Sequence, residues 1–137
     1  MRYLFKDIPN ERIISIIKII GSLVLGFLIY ACFRDKSIFY LGVNMHYAPD
    51  WLVYNLPDGL WTYSMTVFIL TLWDKHDLNN YIWNLIPLFL SLSYELSQLI
   101  LDMGTFDLCD ILFSVIFYCL AIRTKFNTFL HKKYTYG

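Results

Sequence analysis

Glu95, Gln98, Asp107 and Asp110, with Asp58 earlier in the chain, are the residues best placed to do chemistry. Glu95 and Gln98 are three apart, as are Asp107 and Asp110. That spacing puts each pair on one face of a helix. Their surroundings are strongly apolar, and a carboxylate inside such a segment costs about 2.5–3.5 kcal/mol on the insertion scale. It persists when it is paired, protonated or turned to a water-filled cavity. Carboxylates so close together cannot all stay ionised. A protonated one can donate a proton or a hydrogen bond, and a cluster can hold Mg²⁺, Ca²⁺, an ammonium group or sugar hydroxyls. The sequence holds no nucleophile–base pair, glycine-rich phosphate loop or HExxH motif. His46, His76 and His131 are far apart, and Cys32, Cys109 and Cys119 make no CxxC. No zinc site or disulfide framework is therefore expected, and the cysteines read as small apolar side chains buried in packing.

The elements that must position these carboxyl groups belong to an oily chain. Of 137 residues, 58% are hydrophobic, 19% aromatic and only 16% charged, with zero formal net charge. Soluble domains are about one quarter charged, and a chain this short cannot hide so much apolar side chain from water. Disorder is excluded by the hydrophobicity, and 11 basic against 11 acidic residues give no support to nucleic-acid binding. One domain is expected.

Four apolar runs follow one another, at 13–33, 59–73, 81–101 and 108–122. The first is 21 residues long, enough at about 1.5 Å per residue to cross a bilayer core of about 30 Å. A cleaved signal peptide is its competing reading, but no A-x-A site follows and the later runs also require membrane. The aromatic-rich connection 34–58 reads as a segment at the membrane interface, and the short second run needs lengthening by the turn before it or a tilted arrangement. Pro87 reads as a kink or as a first-turn residue of the third helix.

Polar residues fall in stripes along these runs. Asn84, Ser91, Glu95, Gln98 and Asp102 step by seven, four, three and four; Asp107, Asp110, Ser114 and Tyr118 step by three, four and four. Asp58, Thr62 and Thr66, and Ser15, Lys18, Ser22 and Gly26, make the other two. Each helix thus has one face unlike lipid, and the faces are expected to turn toward one another in a compact bundle. The hydroxyls and glycines read as close packing, and Lys18 as snorkelling to the interface. With four spans, Arg2, Lys6, Arg12, Lys18, Lys75, Arg123, Lys125, Lys132 and Lys133 share one side, against Arg34 and Lys36 on the other. This bias puts both termini in the cytoplasm, and the carboxyl groups converge at the outer end. The expected fold is all-α, a polytopic membrane protein forming a four-helix transmembrane bundle.

At these residues the chain resembles the VanZ-like family of small bacterial membrane proteins. The likeness runs from about residue 56 to 120. It rests on Ser93-Tyr94-Glu95-Leu96-Ser97-Gln98, on Phe106-Asp107-Leu108-Cys109-Asp110-Ile111, and on Leu56-Pro57-Asp58-Gly59-Leu60-Trp61-Thr62-Tyr63-Ser64. The chain differs from the family pattern in having Gly104-Thr105 where an Arg is common, Ser114 for an Asn, Phe117 for a Gly and Pro57-Asp58 for a more basic position. The resemblance implies an integral membrane protein, some of whose relatives are linked to low-level glycopeptide (teicoplanin) resistance.

The function expected from both lines is an envelope protein of the bacterial cytoplasmic membrane. Its outward-facing pocket of Asp58, Glu95, Gln98, Asp107 and Asp110 would bind an envelope lipid, cell-wall precursor or cationic ligand. Glu95 and Asp110 form its central pair, Gln98 and Asp107 its hydrogen-bonding support, and Asp58 a third wall. Two other readings stand beside it: a small subunit or assembly factor of a larger membrane complex, and an intramembrane enzyme on a lipid-linked substrate. No cofactor or metal is expected; a divalent cation at the acidic cluster is compatible with the residues, but the sequence alone gives it no support.

Overall fold

The computed structural model describes residues 10–33, 49–72, 78–101 and 106–135, with the side chains of residues 11, 78–81, 99 and 125–135 outside that description. Arg34, Lys36, Lys75, Asp102 and Gly104-Thr105 lie outside it too, with the expectations that concern them. The described residues are all-helical: α1 (Asn10–Phe33), a π-helical turn (Trp51–Asn55) running directly into α2 (Leu56–Leu72), α3 (Leu78–Leu101) and α4 (Leu108–Thr135).

Each helix is longer than the apolar run that announces it. The largest change is at the second, where the interfacial connection expected over 34–58 is helical from Asp50 onward. Asp50 has helical dihedrals, φ −55° and ψ −41°. The backbone N–H of Leu56 then bonds the carbonyl of Trp51, five residues back. Pro57 gives the reason for this wider turn. It has no N–H for the carbonyl of Val53, and in a regular α-helix its ring would press on that carbonyl. The helix over 50–72 is about 34 Å long, against about 22 Å for the 15-residue run alone. Pro87 lies inside α3, which continues through it, so the first-turn reading does not hold.

α2 is the hub, packed against α1, α3 and α4; α3 and α4 also touch, and the π-turn packs on α1 and α4. Close approach is made by small residues. Ser22 Oγ lies 2.6 Å from Ser64 Oγ across the α1–α2 seam. Whichever hydroxyl accepts here keeps its own hydrogen for its helix, Ser64 for the carbonyl of Leu60 or Ser22 for that of Lys18. A Cβ on Gly26 would stand 3.1 Å from the Trp61 ring, and one on Gly59 only 2.6 Å from Phe117 Cδ2. Phe117, bulky where the resemblance expects glycine, thus sits against the bare backbone of α2. Its ring stacks on Phe113, and Phe113 on Trp51, which ties the π-turn to α4.

The interior mixes polar and apolar side chains, and the exterior is apolar. Ser22, Asn55, Thr62, Ser64, Thr66, Glu95 and Ser114 are buried beside Ile29, Ala31, Val53, Leu60, Val67, Tyr118 and Ala121, while Ile17, Ile82, Phe89, Ile100 and Leu108 are more than 60% exposed. So much exposed apolar side chain is unusual for a water-soluble domain. The cysteines do not pack inside as expected: Cys109 and Cys119 are exposed and Cys32 half-buried, because their stripe positions fall on the outer faces.

The Gly59–Phe117 contact yields a direct test. Gly59→Val should lower the thermal midpoint in detergent by an amount equivalent to about 1–3 kcal/mol, the cost of overpacking. Pairing it with Phe117→Ala should recover part of the loss. Gly21→Ala, whose Cβ meets nothing within 4 Å, should be neutral or stabilising. Equal losses at Gly21 and Gly59 would contradict the close α2–α4 approach.

Candidate functional site

Three helices bring their carboxyl groups to one end of the bundle. Asp58 lies in the first turn of α2 and Asp110 in the first turn of α4; Glu95 lies near the last turn of α3, which runs the opposite way. One oxygen from each lies within 4.8 Å of the others. Glu95 is only 3% exposed. Its Oε2 is buried and accepts no hydrogen bond. At 4.8 Å, two unit charges repel by about 3.5 kcal/mol at an effective dielectric constant near 20. A group this tight is relieved by a shared proton or a cation.

Asn55, on the π-turn, organises the cluster from one side. Its Nδ2 donates to Asp110 Oδ1 at 2.7 Å and to Asp107 Oδ2 at 3.2 Å. Asp107 is also the N-cap of α4: its Oδ1 accepts the backbone N–H of Cys109 at 2.8 Å, and its carbonyl that of Asp110 at 3.2 Å. The Cys109 N–H first, and the Asn55 amide second, hold the Asp107 carboxyl below the ordinary carboxylate range. Asp107 itself is exposed, so its part is to fix the start of α4 and the position of Asn55.

Beneath the carboxyl groups lies a layer of hydroxyls. Ser91 Oγ donates to Ser114 Oγ at 2.6 Å, and Thr62 Oγ1 reaches Ser114 Oγ at 3.3 Å and Ser91 Oγ at 3.4 Å. Thr62 follows Asp58 by four residues, Ser114 follows Asp110 by four, and Ser91 precedes Glu95 by four. One helical turn thus separates the two layers on all three helices. A third layer continues the register with Thr66, Pro87 and Tyr118, all buried.

Of the five residues expected in the pocket, Asp58, Glu95 and Asp110 meet directly, with Asp58 a full member beside the other two. Gln98 reaches Glu95 only by a long contact, Nε2 to Oε1 at 3.5 Å. Asp107 joins through Asn55 and the α4 cap. Asn55 itself was missed by the stripe argument, because it falls in a stretch read as interfacial connection. Its spacing of three before Asp58 was the available signal. Asn84 lies on the α3 stripe with a buried Oδ1 that has no partner, three residues before Pro87 and away from the cluster.

The chain matches no family model, no curated protein and no solved structure. The site is accordingly interpreted from its own geometry.

Two substitutions separate the roles inside the cluster. Asn55→Ala should lower stability by about 1–3 kcal/mol, the worth of its hydrogen bonds to the charged Asp110 and Asp107. Glu95→Gln should raise the thermal midpoint in chelator-treated detergent, since it removes one of three crowded charges. A stabilising Asn55→Ala or a destabilising Glu95→Gln would reverse the assignment of support and strain.

Proposed function

We propose that this is a four-span protein of the bacterial cytoplasmic membrane with both termini in the cytoplasm, and that the acidic site at its outer end binds the cationic part of an envelope lipid or cell-wall precursor. The observation that carries the reading is the gathering of Asp58, Glu95 and Asp110 from three helices into one place, within a bundle whose exterior is apolar. Charge is costly in such surroundings and is retained there chiefly for function.

The membrane part of the reading is supported at several levels. The segment Arg12–Phe33 is long and apolar enough to cross a bilayer, and little of it is buried in the bundle, unlike the core helix of a soluble protein. Ser22 and Gly26 nevertheless tie α1 to α2, as expected of a retained span rather than a discarded signal. The helix over 50–72, α3 and α4 each reach bilayer length. The basic residues supply the orientation. The likeness of Glu95-x-x-Gln98 and Asp107-x-x-Asp110 to the VanZ-like pattern supports an envelope role of the kind linked to glycopeptide tolerance.

Orientation and function are tested separately. With the native cysteines replaced by serine, a single cysteine at Gly104 should react with a membrane-impermeant maleimide on intact cells, and one at Arg2 only after lysis. Labelling of both positions on intact cells, or of neither, would overturn the topology. In cells made teicoplanin-tolerant by this chain, Glu95→Gln with Asp110→Asn should abolish the tolerance at unchanged membrane abundance. Full tolerance in the double variant would overturn the pocket and favour a subunit whose work is done by packing.

A further inference from the structure

We propose that the site formed by Asp58, Glu95 and Asp110 binds one hard divalent cation of the Mg²⁺, Mn²⁺ or Ca²⁺ class. This rests on the reading of the site as a cation pocket and names the cation.

The geometry carries the first part of the argument. Hard cations bind oxygen at about 2.0–2.6 Å, so oxygens around one ion stand roughly 3–5 Å apart. One oxygen from each of the three carboxyl groups lies within 4.8 Å of the others, each arriving from a different helix. The donor set is oxygen alone, which selects hard cations over zinc or copper. The Cys109 side chain, one residue from Asp110, is exposed.

A second observation points the same way. Glu95 is 97% buried, by its 3% exposure, and its Oε2 has no hydrogen-bond partner. Buried polar atoms without partners are rare, and a bound ion is one of the few physical reasons for them. The backbone N–H of Asp107 faces the Glu95 carboxyl, but the nearby side-chain amides do not reach Oε2. The Asn55 amide is directed at Asp110 and Asp107, and that of Gln98 reaches only Oε1, at 3.5 Å. Asn55 thus orients a ligand carboxylate from behind, as outer-sphere groups do in metal sites.

The donor set fits a divalent ion: three carboxyl oxygens from three helices, within 4.8 Å of one another, supply part of an all-oxygen shell. Three protein ligands also leave positions for water on a six- to eight-coordinate ion.

The test uses the full chain in phosphatidylcholine nanodiscs after removal of metal by chelator. Mn²⁺ is titrated by electron paramagnetic resonance, with Ca²⁺ and Mg²⁺ as competitors and methylammonium as the monovalent probe in thermal unfolding. One Mn²⁺ per chain is expected, displaced by Ca²⁺ or Mg²⁺. Glu95→Gln and Asp58→Asn should each weaken it at least tenfold, and Asp50→Asn should leave it unchanged. Either of the first two variants suffices should the other fail to fold. Mn²⁺ bound equally well by all three variants would overturn the site. Protection by methylammonium that depends on Glu95, without Mn²⁺ binding, would overturn the divalent assignment and keep the cation pocket. Binding of neither would overturn both.

Discussion

Charge gathered inside an apolar bundle is the constraint on which the rest of this structure depends. Glu95 is the one charged side chain that is buried among the described residues, and it faces the carboxyl groups of Asp58 and Asp110. Such an arrangement is held only by surrounding structure strong enough to oppose the repulsion. The hydroxyl layer of Thr62, Ser91 and Ser114 provides that one turn below, joining the same three helices by hydrogen bonds. The acidic layer is therefore the end of a polar column, and its spacing is inherited from the helices beneath it.

The column in turn requires the helices to stand close together. α2 lies at the centre, and the small residues Gly59, Thr62, Ser64 and Thr66 are buried on it beside Pro57, Leu60 and Val67. On the proposed four-span reading the helices stand in lipid, where no hydrophobic force acts between them, so close backbone contact and interhelical hydrogen bonds would supply the association. Phe117 on Gly59 and Ser22 on Ser64 are those contacts. The π-turn adds the last part: it carries Asn55 to the aspartates of α4, and the Trp51–Phe113 stack holds it there.

Much of this was legible in the sequence. Polar residues at helical spacing along apolar runs mark Asp58, Glu95 and Asp110 as neighbours, because burying a carboxylate is costly enough to leave a pattern. The second helix was harder. Its apolar run is too short, and the missing length is the polar, aromatic stretch before Pro57, where helix geometry persists by widening one turn. Asn55 was hidden for the same reason. The outward cysteines show the opposite failure: a rule about small apolar side chains in water-soluble cores does not transfer to a bundle whose exterior is the apolar part. Phe117, a departure from the family pattern in the sequence, packs on the glycine opposite it, a pairing its own helix does not reveal.

The central claim is that Glu95 and Asp110 repel each other in the folded protein. A double-mutant cycle of Glu95→Gln and Asp110→Asn, read as unfolding free energy in metal-free detergent, measures that term alone. The account predicts that the double variant gains less stability than the sum of the two single variants, by roughly 0.5–3 kcal/mol. Additivity within about 0.5 kcal/mol would show that the two carboxyl groups do not meet.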